Sequence, residues 1–311
     1  MKPQVIVLTG PTATGKTALS IELCKSMGGE VVSADSMQIY TGMDIGTAKV
    51  TPQEASGVPH HMIDIVSPYE DYSVARYVED AERACRDIIS RGKIPVIAGG
   101  TGLYIDSLLS GRSFSEGDRS SEIRQRLGEE YDSLGGEAMH ERLRKTDPER
   151  AALLSPNDRR RIIRALEVYE STGKTITQHD AETKALPPRF EALKYALTYN
   201  DREKLYERIN LRVDIMVRDG LFEETEGLLR SGLSPDSTAM QAIGYKETAM
   251  ALRGEISREE AIELIKLGSR RYAKRQLTWL RRDPLIKWIE RDDNAPISSL
   301  AQKIMNEFDA M

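Results

Sequence analysis

Four histidines and two cysteines are all that the 311 residues offer to a soft metal. Only His60 and His61 are adjacent, and neighbours in an extended run point to opposite sides, one toward the core and one toward the sheet edge. A structural zinc site, which needs four converging ligands, is not expected. Cys24 and Cys85 stand among apolar neighbours in helix-like stretches and read as small buried hydrophobes. Aromatic residues make up only 6%, so the core must be aliphatic. The net charge of −5 gives no global attraction to nucleic acid; such a partner would need cations gathered locally. No apolar run approaches the roughly 18 residues of a membrane helix. The N-terminus opens on a strand rather than a signal peptide. The expectation is a cytoplasmic, monomeric protein with no membrane partner.

What is present first is alternation. "QVIVLT" (Gln4–Thr9) reads as a buried strand, followed by a helix to about Met27. "EVVSAD" (Glu30–Asp35) and "HHMIDIV" (His60–Val66) read as further strands, and "IPVIAGG" (Ile94–Gly100) as another. Between them, Ser73 caps a helix that stops at Gly92. Strand–helix alternation of this length implies a parallel sheet covered by helices. After Gly111 strand signals vanish. Asp147-Pro148 and Ser155-Pro156 each pair an N-cap with proline at the first helical position, the second helix ending at Gly173. "KYALTY" (Lys194–Tyr199) returns to the sheet. Helical patterns then cover Asp201–Ser231, Met240–Arg253 and Ser257–Arg282, the last opened by a capping box of Ser257 and Glu260. "LIKWIE" reads as an edge strand and Pro296–Phe308 as a closing helix. The expected fold is α/β: a P-loop NTPase-like parallel sheet with flanking helices (residues 1–112 and 190–311) and an inserted all-helical domain (residues 113–189).

"GPTATGKT" (Gly10, Pro11, Thr12, Ala13, Thr14, Gly15, Lys16, Thr17) has the spacing of a phosphate-cradling loop, with a strand before it and a helix after it. Backbone N–H groups and the positive end of the helix face the anion, Lys16 adds a point charge, and Thr17 can hold Mg²⁺. The loop certifies a di- or triphosphate, not a nucleotide. The Asp that holds metal at the end of a later strand in NTPases is missing, because "IPVIAGG" ends in glycine. Asp64 is a second candidate, on a short run. The well-placed acid is Asp35, at the carboxyl end of a strand, where α/β sheets bind ligands; its bland alternative is a turn cap. "AGGTGLY" lies at the same edge, where glycines permit close approach of a ligand to Thr101, or simply make a tight turn.

Cations cluster twice. "DRRRIIR" carries Arg159, Arg160, Arg161 and Arg164, and "RRYAKRQLTWLRR" holds six positive residues and no acid. Arg271, Lys274, Arg275, Thr278 and Arg282 share one helical face, beside an apolar stripe through Ala261, Leu264, Ile265, Gly268, Tyr272 and Trp279. Solvated faces are one explanation. Two unbalanced clusters flanking an anion site in an acidic chain favour a polyanionic partner.

In this order, "GPTATGKT", "SADSMQIY", "GTAK", "PHHMID", "AGGTGLY", "NDRRRIIRALEV", "GYKE" and "RRYAKRQLTWLRR" resemble the tRNA dimethylallyltransferase family over nearly the whole chain, in its short bacterial form without a C-terminal zinc finger. The resemblance implies transfer of a dimethylallyl group from dimethylallyl pyrophosphate to N6 of the adenosine 3′ of the anticodon, with Mg²⁺. It makes Asp35 the base, with Ser36, Met37 and Gln38 around it, and Thr101 a contact to the reacting centre. It assigns tRNA contacts to Arg124, Arg159, Arg160, Arg161, Ile162 and Ile163 in the insertion, which would grip the anticodon arm. Gln241, Gly244, Tyr245, Arg271, Lys274 and Arg275 would line the RNA side. Arg208 and Arg212 would reach pyrophosphate or RNA, or else form helix-surface salt bridges. The bond broken is then C–O at carbon rather than P–O, and no later-strand Asp is needed.

Two rivals share the loop. A small-molecule kinase would yield a phosphorylated product and ADP. A non-enzymatic RNA-binding ATPase switch would turn over ATP on RNA without modifying it.

Overall fold

Val5, Ile6, Val7 and Leu8 are wholly buried, as an apolar run must be when both faces of its sheet are covered. They form β1 (Gln4–Thr9), which has the ends read from the sequence. The structure, a computed structural model, describes residues 2–111, 121–293 and 295–310. The chain divides into two compact units, Met1–Leu109 with Phe190–Met311, and Ser110–Arg189. The boundary expected at Arg112–Ser113 lies outside the described residues.

In the larger unit, β1 is followed by α1 (Lys16–Met27), β2 (Glu30–Ser33), α2 (Pro52–Ala55), β3 (His60–His61), α3 (Val74–Ser90), β4 (Pro95–Ala98) and α4 (Gly102–Leu109). The smaller unit carries α5 (Ser121–Leu134), α6 (Gly136–Thr146), α7 (Pro148–Ala151), α8 (Arg159–Thr172) and α9 (Ile176–Lys184). The larger unit resumes with β5 (Glu191–Thr198), α10 (Arg202–Arg218), α11 (Leu221–Arg230), α12 (Tyr245–Leu252), α13 (Arg258–Leu280), β6 (Lys287–Glu290) and α14 (Ile297–Asp309). The sheet is parallel, in the order β3-β2-β4-β1-β5-β6, with Ile6 opposite both Val96 and Leu193. The carboxyl ends of β1, β2 and β4 therefore lie side by side. Leu19, Leu23, Ile304 and Phe308 of α1 and α14 pack on the sheet residues Ile6 and Leu8. Truncating a leucine such as Leu23 to alanine would cost about 3 kcal/mol. Cys24 and Cys85 are free and buried, and burial pushes both thiols up to about 12.

Several expected boundaries move, each for a local reason. β2 stops at Ser33 because Asp35 turns the chain, its Oδ1 accepting the N–H of Met37 at 2.9 Å. The strand expected over His60–Val66 pairs with β2 only at His60–His61, since Met62 and Asp64 take positive φ, and Val66 makes a lone parallel bridge to Tyr40. The helix expected over Asp201–Ser231 breaks at Asp219-Gly220, where Gly220 has φ 107°. The pattern from Met240 becomes a 3₁₀ turn and then α12. Ser155 does not cap α8; its hydroxyl accepts from Asn157 N–H, and Asp158 is the cap. Only half of the expected capping box forms, Ser257 Oγ accepting from Glu260 N–H.

At the opposite end of β2, Glu30 is buried and bonded by Arg91 at both carboxylate oxygens, by Lys93 at 2.7 Å and by His61 at 2.7 Å. The Arg91 bonds, helped by Lys93 and His61 against burial, hold its pKa well below the usual carboxylate range. In the smaller unit, Leu127, Met139, Leu143, Ile162 and Leu166 form the core. Asp147 staples α7 to α9 by accepting Thr177 Oγ1 at 2.6 Å and Thr177 N–H at 3.1 Å.

Candidate active site

β1 runs directly into the phosphate loop. Gly10 has φ 134°, and a Cβ there would lie 2.3 Å from the carbonyl oxygen of Leu197 in β5, so only glycine can turn against that strand. Ala13, although not glycine, takes φ 65°. Gly15 caps α1, and the first-turn amides of α1 have no partner inside the helix. Pro11 has no amide to offer an anion; its carbonyl accepts from Thr14 Oγ1 at 2.9 Å and from Lys16 Nζ at 2.8 Å. The Thr14 side chain is thus committed to shaping the loop, and only its backbone remains for a ligand.

Loop residues Thr12, Ala13, Gly15, Lys16 and Thr17 line a cavity of about 420 Å³ shared with Asp35–Gln38, Gly99–Gly100, Arg212, Gln241, Tyr272, Arg275 and Gln276. Lys16 also donates to the Gly10 carbonyl at 3.0 Å. Burial, with Arg212 nearby, lowers its pKa to about 7, against an opposing pull from Asp35. Burial lowers Arg212 as well, while Asp35 and Glu54 oppose. Three cations, Lys16, Arg212 and Arg275, thus line one cavity, with only one carboxylate, Asp35, among its lining residues. Arg212 makes no ion pair within 4 Å among the described residues.

Asp35 combines the two readings the sequence left open. Its Oδ1 accepts the N–H groups of Met37 at 2.9 Å and Gln38 at 3.4 Å, which is a turn cap. Its other oxygen makes no hydrogen bond among the described residues. Thr101 N–H donates to the Ala34 carbonyl at 3.0 Å, and Thr101 Oγ1 accepts from Ser36 N–H at 3.1 Å. The loop after β4 therefore holds the loop after β2. The Gln38 side chain turns away to bond the carbonyls of Thr47 and Ala48, while Met37 packs partly into the core around Tyr40.

Arg208 and Arg212 part company. Arg212 lines the cavity. Arg208 donates to the Ala13 carbonyl at 3.0 Å and lies 3.5 Å from Asp293, bracing the loop rather than lining the cavity. Asp64 is paired with Lys49 at 2.5 Å and lies outside the cavity.

Among the residues expected to meet RNA, Arg271, Lys274 and Arg275 are exposed on α13 and pair with no carboxylate among the described residues. Leu264 and Trp279, expected on the apolar stripe, sit at its rim, more than a third exposed. Gln241 is exposed, and its amide bonds the Pro235 carbonyl. Tyr245, expected on the RNA side, is instead wholly buried against Gly46, its hydroxyl donating to Glu224 at 2.5 Å. Gly244 is buried as the cap of α12, its N–H donating to Glu247. In the smaller unit the side chains of Ile162 and Ile163 are likewise buried in the core. Arg124 is paired with Glu167, Arg159 with Asp132 and the Gly128 carbonyl, and Arg161 with Asp158. Arg160 is exposed and pairs with no carboxylate among the described residues, beside a groove it shares with Arg124, Arg159 and Arg164.

Among the cavity residues, Gln276 escaped the sequence reading and Tyr272 was read only as part of the apolar stripe. Gln276 and Tyr272 stand one turn apart on α13. Burial and the proximity of Asp35 push the Tyr272 hydroxyl up to about 12, with Thr101 and Gln276 within its reach. A glutamine in register with the apolar stripe (Ile265, Tyr272, Leu280) was the available signal.

The chain is similar to known proteins over nearly its whole length. A family model described as IPP transferase matches residues 38–283, and one described as isopentenyl transferase matches residues 3–68. The chain is 48% identical over 306 residues to a tRNA dimethylallyltransferase of Thermoanaerobacter sp. (strain X514), covering 98% of this chain and 97% of that one. It is 48% identical over 303 residues to one from Geobacter sulfurreducens, covering 97% of each. Among solved structures, a eukaryotic dimethylallyltransferase acting on tRNA superposes with a TM-score of 0.86 at 32% identity, over 99% of this chain and 80% of that one. The tRNA isopentenylpyrophosphate transferase of Staphylococcus epidermidis gives 0.73 at 42% identity, over 99% of both.

Proposed function

Because the chain belongs to the IPP transferase family, we propose that its cavity joins a dimethylallyl group, taken from dimethylallyl pyrophosphate, to N6 of the adenosine 3′ of the anticodon in tRNA. The carrying observation is that one cavity holds both an anion cradle with two cations and a carboxylate with a free oxygen.

The diphosphate lies against the loop amides, Lys16 and Arg212. The allylic C–O bond breaks and its electron pair leaves with the diphosphate, whose added charge these groups stabilise. The C–N bond forms from N6, and the free oxygen of Asp35 takes the N6 proton as nitrogen becomes cationic. Thr101 holds the Asp35 loop in place through Ser36. The adenine enters by leaving its stack.

Thr17 suits a Mg²⁺ ligand: its side chain is exposed in the cavity, and its hydroxyl makes no hydrogen bond among the described residues. No group of three acidic, histidine or cysteine side chains that could hold a metal occurs among the described residues. In a loop of this spacing the Thr hydroxyl would hold the ion together with substrate phosphates. Mg²⁺ there would neutralise charge on the departing diphosphate.

On this reading the unpaired cations of α13 and Arg160 of the insertion engage RNA phosphates, and the insertion grips the anticodon arm. The protein works as a monomer in the cytoplasm, where its RNA is. No helix among the described residues is long and apolar enough to cross a membrane. The test is mass spectrometry of tRNA after incubation with protein, Mg²⁺ and dimethylallyl pyrophosphate. A gain of one dimethylallyl unit on that adenosine is expected; unmodified tRNA with ATP consumed would return the reading to an ATPase.

A further inference from the structure

We propose that Gln276 is a positioning residue that sets the separation between the phosphate loop and the loops that carry the acceptor side of the reaction. This rests on the functional reading above, which assigns the two sides their parts.

Gln276 is 7% exposed, on the face of α13 turned to the sheet edge. Its Oε1 accepts the N–H of Thr12 at 3.2 Å, and its Nε2 donates to the carbonyl of Gly100 at 2.9 Å. The orientation of the amide is dictated by these partners: an N–H requires the oxygen and a carbonyl requires the nitrogen. A single neutral side chain thus bridges two glycine-rich loops that are far apart in sequence. A carboxylate or ammonium could meet only one of the two demands, and would also place charge beside the leaving group.

The neighbouring backbone is cut to fit. A Cβ at Gly100 would lie 2.1 Å from Gln276 Nε2, so any side chain there would push the amide out of its bridge. From Gly100 the path continues without a gap. Thr101 bonds the Ala34 carbonyl through its N–H, and accepts Ser36 N–H at its hydroxyl. The bonded series from Thr12 to the Asp35 loop has one flexible link, the Gln276 side chain.

The chemistry gives that link a job. Displacement at the allylic carbon needs the leaving oxygen, the carbon and N6 held in order at near contact. A misplacement of about 1 Å can cost on the order of 10²-fold in rate. The phosphate loop places the leaving oxygen and the Asp35 side receives the proton, so whatever fixes their spacing controls the rate without contacting either substrate's reacting atoms.

The experiment compares wild type with Gln276→Met, which keeps an unbranched chain of similar length but loses both bonds, and with Gly100→Ala, which attacks the bridge from its other end. Single-turnover transfer at saturating substrates should fall by about 10- to 100-fold in each. Affinities for tRNA and for inorganic pyrophosphate should stay within about threefold of wild type. The double variant should be no slower than the slower single variant, because both remove one bridge. Unchanged rates overturn the proposal. So does a rate loss matched by weaker pyrophosphate binding, which would make Gln276 a ligand contact, and so does multiplication of the two effects. If Gln276→Met does not fold, Gly100→Ala alone decides by the same rate-against-affinity criterion. A wild-type protein that prenylates no tRNA would sink the functional reading instead, and wild-type activity separates the two failures.

Discussion

Thr101 Oγ1 accepts the backbone N–H of Ser36 at 3.1 Å, so a hydroxyl on one loop fixes the residue next to the acid on another. Thr101→Val keeps the shape and leaves that N–H without its partner, at a cost of about 1–2 kcal/mol. We expect slower single-turnover transfer and a lower Tm for valine, and recovery of both with Thr101→Ser. Equal rates for valine and serine variants would remove the hydroxyl from the site.

Asp35→Asn keeps an oxygen able to accept from Met37, so the turn should survive, but the remaining atom becomes an amide nitrogen or a non-basic oxygen. Turnover should drop about 10²-fold or more with tRNA binding retained. Near-normal prenylation by this variant would take Asp35 out of the mechanism; loss of tRNA binding would recast it as a recognition residue.

Lys16 titrates near neutrality in the free protein, with a pKa of about 7. A diphosphate between Lys16 and Arg212 favours the charged ammonium and raises that pKa, so binding above neutral pH must take up a proton. Affinity should fall as pH rises through about 7 and beyond. Calorimetry of pyrophosphate binding at pH about 8, in buffers of different ionisation enthalpy, should show uptake of up to about one proton. Lys16→Met should abolish the uptake, and its persistence would point to another group.

Neutralising Arg271, Lys274 and Arg275 together should weaken tRNA binding and flatten its salt dependence, lowering the slope by about 0.7–0.9 for each phosphate no longer neutralised. Arg160→Ala should act alike on a smaller scale. Arg161→Ala, which removes a cation already paired with Asp158, should change the slope less. A slope indifferent to all of them would make these faces merely solvated.

Glu30→Gln leaves Arg91, Lys93 and His61 gathered around a neutral amide. The cost should be about 2 kcal/mol, between that of exposed and buried pairs because Arg91 and Lys93 are partly exposed. The carboxyl's folded pKa lies below its unfolded one, so its stabilisation is present above the unfolded value of about 4.5 and fades as pH falls. Denaturant titrations of both proteins at neutral and acid pH should converge on the acid side.

The sequence disclosed what repeats or stands alone along the chain. β1 shows as an unbroken apolar run, the phosphate loop as fixed glycine spacing, and the α13 cations as a stretch with no acid. It disclosed poorly whatever depends on a distant neighbour. Arg159 and Arg124 lose their freedom to Asp132 and Glu167, which stand 27 and 43 residues away. Tyr245, Ile162 and Ile163 sit inside matched motifs, yet a motif does not say which side chains face the core. β3 shrank because Met62 and Asp64 leave the extended region, a backbone choice their side chains do not announce. Gln276 was legible only as a polar residue on a buried stripe, and its two partners come from loops some 176 and 264 residues earlier.

The central place of β1 bears on how the protein is made. Its two neighbours are β4 and β5, and β5 is the surface against which Gly10 turns. On a ribosome adding about 5–20 residues per second, β5 emerges roughly 5–20 s after β4, with the whole helical unit synthesised between them. Through that interval the nascent chain carries an apolar strand with one edge unpaired, the kind of edge that other chains can add to. The phosphate loop cannot take its final turn until the interval ends. Premature termination inside the insertion would therefore yield an adhesive fragment without an anion site, whereas a chain cut soon after β5 would have covered the strand it began with.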